Sequence, residues 1–429
     1  MRHSIHTLAT AALMFTLICV PAAADTGMSS ELVITAQDFD EYLPEVAYNT
    51  NREEYFVVWH DASFQSRTVM GKRLDKYGNT IAEYTIAYNA TRDSAQASVA
   101  YDPVNDRYLV TYLRDTPGDG SDWDLYARLV PWNGPSVSFT EVPVVTWTTH
   151  QWGPKVAYAS TQQEFFVTWW NEDQTGAVAS YISGVRINPF NAATLGSTMV
   201  LASGPDQRFL PEIAYNRARN EYLVVYTLMN GGQGDIWAVR LNAGGTILDG
   251  GEFAVAAWAD SEDTPKVAAS PTANTWLVVW ESTTVADAGE IYGRFVTHLG
   301  VDGAPIQFDG YDINERRPAV SCIGESSRFF VSWSQQYSGL TGAYGIWGQV
   351  LDADRTLDPR VTLRTVFTGE DDPNTDQLAA VGGTNGTLVT WRHTRHATGH
   401  SDIHGRVVFD PFSDGFENGG FSAWSSVVQ

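Results

Sequence analysis

The sequence predicts an all-β chain: a seven-bladed β-propeller with four antiparallel strands per blade, in which an N-terminal strand closes the last blade. Three observations predict it. A motif recurs seven times, each repeat holds four short apolar runs, and the last repeat lacks a strand that the N-terminus supplies. Four strands per repeat of this length suit a propeller blade, whereas solenoid coils are shorter and built from other units.

The repeat is clearest in LPEVAYNTNREEYFVVW, LPEIAYNRARNEYLVVY and TPKVAASPTANTWLVVW, which begin at Leu43, Leu210 and Thr264. Its core is an apolar anchor followed thirteen positions later by an aromatic residue. The pairs are Val46/Trp59, Val99/Tyr112, Val156/Trp169, Ile213/Tyr226, Val267/Trp280, Val320/Trp333 and Leu378/Trp391. Pro stands two places before five anchors, at Pro44, Pro154, Pro211, Pro265 and Pro318. The anchor marks a first strand A, and the aromatic ends strand B. The aromatics are expected to pack between blades, with no cofactor implied.

Strand C is marked by a small residue that recurs at Gly71, Ala127, Gly184, Ala238, Gly293, Gly348 and Gly405. A strand position kept small predicts close packing against an adjacent sheet. A Gly-containing turn such as Tyr77-Gly78-Asn79 follows, and then strand D. The seventh unit reaches strand C at 405–409 and meets Asp410-Pro411 with no room for strand D. Leu32-Val33-Ile34-Thr35 lies where a strand D precedes an anchor, so it is expected to pair with the last blade and remove its open edge.

Strand B of the type Glu221-Tyr222-Leu223-Val224-Val225-Tyr226 and strand C of the type Glu290-Ile291-Tyr292-Gly293-Arg294 resemble a degenerate propeller repeat of bacterial exported and surface proteins. The resemblance spans residues 30–410 and implies fold and export without a shared ligand. The segment Ser413-Asp414-Gly415-Phe416-Glu417-Asn418-Gly419, ending in Ala423-Trp424-Ser425, resembles a C-terminal motif of secreted Gram-negative proteins.

The chain therefore divides into a signal peptide (1–24), a propeller (25–410) and a C-terminal tail (411–429). Met1-Arg2, an apolar stretch at 8–20 and Pro21-Ala22-Ala23-Ala24 form the signal, whose apolar stretch is too short to span a bilayer. Export to the periplasm, the cell surface or the medium is the expectation. Cleavage would remove Cys19 and leave Cys322, whose apolar strand context predicts a buried, inert thiol.

Lys and Arg number 27 against 50 Asp and Glu, a net charge of −23. Nucleic acid is excluded as a partner by the missing basic footprint. No transmembrane segment follows the signal, and a monomer is expected. Glycine-rich phosphate loops, a GxSxG elbow, a GxGxxG turn and repeated aspartate boxes are absent from the sequence.

Loops joining strand D to the next strand A are the expected ligand-facing rim. They are assigned Asp38, Asp40 and Glu41; Arg92 and Asp93; His150 and Trp152; Asp206 and Arg208; Asp260, Glu262 and Asp263; Glu315, Arg316 and Arg317; and Glu370, Asp371 and Asp372. The rim candidates are Trp152, His150, Arg92, Asp206, Arg208, Asp263, Arg316 and Asp371. Trp152 leads, because an indole in a loop can stack on a sugar ring while His150 and Arg92 bond its polar groups. The opposing expectation is that Trp152 folds over Tyr158 as packing. Solubility alone also places acids in loops.

Two loops hold metal-ligand types. His393, His396 and His400 in blade 7 suit a transition metal, although their spacing matches no finger or HExxH pattern. Asp119, Asp122 and Asp124 in blade 2 form a calcium-like run without an EF-hand register. No metal or cofactor is committed, calcium being the one weighed. The function read from the sequence is a secreted, non-catalytic propeller that binds an extracellular glycan or surface protein. The alternative is a propeller-fold polysaccharide lyase or glycoside hydrolase, with no catalytic residues identified.

Overall fold

The structure, a computed structural model, describes residues 27–62, 66–136, 139–172, 179–283, 289–308, 314–336, 344–364, 377–384, 386–394 and 399–409. The signal peptide, the C-terminal tail, Asp371 and His396 lie outside the described residues. Those described form seven sheets of four antiparallel strands and no helix.

Blade 1 sets the pattern, with strands A to D at Glu41–Asn49, Glu54–Ala62, Arg67–Asp75 and Thr80–Ala87. Strands A of blades 2 to 6 are Ser94–Asp102, His150–Ala159, Gln207–Asn216, Ser261–Ala269 and Glu315–Cys322. Blade 7 has strands A to C at Leu378–Gly382, Gly386–Thr394 and Ser401–Phe409. Its fourth strand is Leu32–Val33, with Leu32 opposite Gly405 and Val33 opposite His404. This strand is shorter than the expected four residues, but Ile34 N–H still donates to Ile403 O at 2.9 Å.

Strand B is buried on both faces, which explains its unbroken apolar run. In blade 1, Tyr55, Val57 and Trp59 pack toward blade 7, while Phe56 and Val58 pack toward blade 2. One apolar cluster fills each blade interface in this way. The seven repeated aromatics, from Trp59 to Trp391, are all buried there.

Strand A ends in a turn capped by the third residue after the anchor. Asn49 accepts the backbone N–H groups of Asn51 and Arg52, and Asp102 accepts those of Val104 and Asn105. Such local side-chain bonds fix the turn and satisfy its backbone. The hairpin between anchor and aromatic therefore keeps one length.

The small residue of strand C has a different cause from the one the sequence suggested. A Cβ at Gly71, Gly184 or Gly348 would meet the ring of Phe56, Phe166 or Phe330 at 2.7, 2.5 or 2.3 Å. Those rings come from strand B of the same blade and lie across the sheet. The position is small to make room for its own neighbour.

Candidate functional site

Strands A line the central channel, and six of them carry the same irregularity near their start. Register shifts fall between Tyr42 and Glu45, Ala95 and Ser98, Trp152 and Lys155, Phe209 and Glu212, Asp263 and Lys266, and Arg316 and Ala319. Each shift is a β-bulge at a residue of positive φ: Leu43, Gln96, Gly153, Leu210, Thr264 or Arg317. Five of these six are followed by the repeated proline, which needs no ladder partner at a bulge. Recurrence in six of the seven blades marks this positive-φ backbone as architecture; strand A of blade 7 pairs without a shift.

The bulges form a collar around a cavity of about 300 Å³. Leu43, Leu210 and the five prolines give it an apolar wall, and Trp152 and Trp170 stand on the blade 3 side. Its volume and lining are those of a small-molecule pocket at the low end of the usual size range. It opens on the face where strands A begin.

The floor is ionic and was not foreseen from the sequence. Lys155 pairs with Glu45 and, at 2.9 Å, with Glu212; Lys266 also pairs with Glu212. These side chains come from blades 1, 3, 4 and 5 and separate the cavity from a lower, polar chamber of about 150 Å³. Burial pushes the Glu212 carboxyl up, but Lys155 and Lys266 outweigh it and hold the group below its ordinary range. Burial lowers the Lys155 ammonium, and Glu212 and Glu45 reverse this and raise it. Each floor residue immediately precedes an anchor. The usable signal was that column, which in the six bulged blades reads Glu45, Ser98, Lys155, Glu212, Lys266 and Ala319, with no residue type repeated in successive blades.

Several residues assigned to the rim loops lie inside strand A, because the bulge lets the strand continue upstream of the collar. Glu41 and Glu315 begin their strands, Arg208 and Glu262 stand second in theirs, and all four are buried. Arg208 is corrected as a ligand candidate: its guanidinium grips Glu252 through Nε at 3.0 Å and Nη2 at 2.6 Å. Asp206 is half-buried and gives its carbonyl to the same guanidinium. Glu262 accepts the Trp258 N–H at 3.1 Å, and burial, with Asp235 and Asp260 nearby, pushes its carboxyl up to about 7.

Trp152 is a strand residue as well, placed just before the bulge at Gly153. It is half-buried, donates from Nε1 to Glu172 at 2.9 Å, and packs between Trp123, His150 and Trp170. Asp263 and Arg316 occupy the equivalent position in blades 5 and 6. Asp263 accepts from the Thr227 hydroxyl and the Thr264 N–H, and Arg316 donates to Asn314. His150 lies beside Trp152 and accepts the Trp123 N–H at Nδ1. Arg92 sits in the preceding turn and lines no part of the cavity. The proposed grouping of Trp152, His150 and Arg92 is thus reduced to its two aromatic members.

The metal candidates do not converge. His393 packs against His404 with tilted rings whose centroids are 4.3 Å apart, and His400 lies 3.9 Å from Asp40. Asp119 is occupied by the hydroxyl and N–H of Ser121, and Asp124 accepts from Thr116. Burial raises the carboxyls of Asp122 and Asp124. Among the described residues, no group of three or more His, Cys, Asp or Glu is placed to hold a metal ion. Cys322 donates to Ser326 O, and burial pushes its thiol up to about 12.

No protein-family model and no curated protein matches the sequence. Solved structures do resemble it in shape. A protein of unknown function from Dyadobacter fermentans aligns with a TM-score of 0.56 at 11% identity, over 89% of this chain and 99% of that one. An α-L-arabinanase from Penicillium chrysogenum, complexed with arabinobiose, gives 0.51 at 11% identity over 89% and 98%. A fungal alcohol oxidase in complex with copper gives 0.53 at 10% identity over 90% and 76%. The chain is a seven-bladed β-propeller. At these identities the likeness carries the fold and nothing of the chemistry.

Proposed function

We propose that the propeller is an exported, non-catalytic binding protein that takes a carbohydrate in the collar cavity, with Trp152 as the stacking surface. The observation that carries this reading is an apolar, aromatic-sided pocket over a floor whose charges are already neutralised. A sugar ring has an apolar face for the indole and collar, and hydroxyls for the polar atoms at the floor. Export is supported by the signal-like first 24 residues and by the resemblance of the tail to secreted proteins. A monomeric state and a glycan, in preference to a protein, as the surface partner are parts of the same proposal.

The alternative of a glycoside hydrolase or lyase fits the floor less well. A hydrolase needs one carboxyl that is protonated at working pH. Glu45 and Glu212 are both bonded to lysine, and Glu212 is held below its ordinary range. Glu262 is raised, but it is fully buried and lines no part of the cavity. The test is a panel of neutral and uronate-containing glycans, scored for binding and for release of reducing or unsaturated ends. Binding without product is expected; turnover would overturn the non-catalytic reading.

A further inference from the structure

The polarity of the cavity floor points to an acidic sugar: we propose that the ligand bears a carboxylate, which sits on Lys266, while a hydroxyl of the same glycan donates to Glu45. This rests on the reading of the cavity as a glycan site and specifies its ligand.

The floor is a chain of alternating charge with two ends. Lys155 and Glu212, in the middle, each hold two partners of opposite sign. Glu45 and Lys266, at the ends, each form one of these pairs. An ammonium has three donors and a carboxylate several acceptor sites, so both ends keep bonding capacity. The ends are also the more open members, with side chains 24% and 27% exposed against 16% and 17% for the middle pair.

The four charges occupy blades 1, 3, 4 and 5. Blades 6 and 7 contribute Ala319 and Ala379 at this level, opposite Ser332 and Thr390, and neither is charged. That sector is therefore bounded by a cation on the blade 5 side and an anion on the blade 1 side. Arg317 of blade 6 lines the cavity above it, with its backbone N–H on Glu281. A neutral sugar offers the remaining donors of Lys266, beyond its pair with Glu212, no ionised acceptor. A uronate supplies a carboxylate for the positive end and hydroxyl donors for the negative one, turning the open chain into a closed ring.

The net charge of −23 opposes an anionic ligand at a distance. Its reach in physiological salt is limited to about 8 Å, so the local arrangement decides the binding. Hydrogen bonds with one ionised partner are about twice as strong as neutral ones, which gives the carboxylate the larger share of specificity.

The test uses the full exported chain and calorimetric titration. The probes are oligogalacturonate, oligoglucuronate and oligomannuronate, each beside its carboxyl-reduced neutral counterpart. The expected result is that at least one uronate binds about tenfold or more tightly than its reduced form. That preference should vanish in Lys266→Gln and persist in Lys266→Arg, with melting temperatures reported for both variants. Equal affinity for a uronate and its reduced form, or binding of neutral glycans alone, would overturn the inference and leave the glycan site standing. Should no member of either series bind, the site reading itself fails and the polarity falls with it. The wild-type comparison does not depend on the variants folding.

Discussion

Two neighbouring columns of strand A behave in opposite ways. The anchor column is apolar in all seven blades and joins the interface clusters, as Val46, Val99, Val156 and Val320 do. The residue just before it faces the channel in the six bulged blades and changes from each of these blades to the next, as the contrast of Lys155 with Ala319 shows. Uniformity in the first column follows from close packing, which tolerates little change in volume. Variety in the second marks the surface that the fold leaves free, and the ion chain occupies it.

That contrast breaks most visibly if an interface aromatic is removed. Trp280 is fully buried between blades 4 and 5. Trp280→Ala should cost about 3–5 kcal/mol, read from denaturant unfolding. A loss as small as that of a channel residue would erase the distinction between the columns.

On the channel side, Lys155→Met should cost about 2 kcal/mol, less than breaking a fully buried pair because the floor is partly open. The floor also predicts a pH dependence. Glu212 is held below its unfolded value of 4.5, so its contribution is present above that pH and is lost as pH falls through the folded value. Lys155 is held above 10.5, so its contribution is lost only as pH rises beyond that. Thermal unfolding from pH 7 to pH 3 should therefore show an acid limb that flattens in Glu212→Gln. An unchanged limb would remove the floor from the account of stability.

A smaller effect of opposite sign belongs to Glu262. Burial raises it from 4.5 to about 7, so ionising it opposes folding progressively as pH climbs between those values. Glu262→Gln should stabilise the protein by roughly 1–2 kcal/mol at pH 8 and change little at pH 4. Destabilisation at pH 8 would mean that the carboxylate has a partner the amide cannot replace.

The fold was legible because packing repeats. A fixed thirteen-residue spacing joins anchor to aromatic, and the missing strand of blade 7 identified Leu32–Val33 as its complement. The rim was less legible. Glu41, Arg208, Glu262 and Trp152 read as loop residues because the anchor alone marked strand A, with no signal for how far upstream the strand extends. In the structure the Pro two places before the anchor marks a bulge, and pairing resumes beyond it. The floor escaped notice for a deeper reason. Lys155 and Glu45 lie 110 positions apart in the chain, and only ring closure brings them together.

The central claim is that the collar cavity binds a ligand and that Trp152 is its stacking surface. The most direct measurement is a paired titration and melting curve on Trp152→Ala, with a glycan that the wild-type chain binds. The indole is half-buried and hydrogen-bonded to Glu172, so its loss should cost about 1 kcal/mol and lower the melting temperature by roughly 1–2 °C. Binding should weaken by about tenfold or more. Full affinity in a variant that melts much earlier would contradict the account, because Trp152 would then belong to the packing between blades and the cavity would have lost its recognition surface.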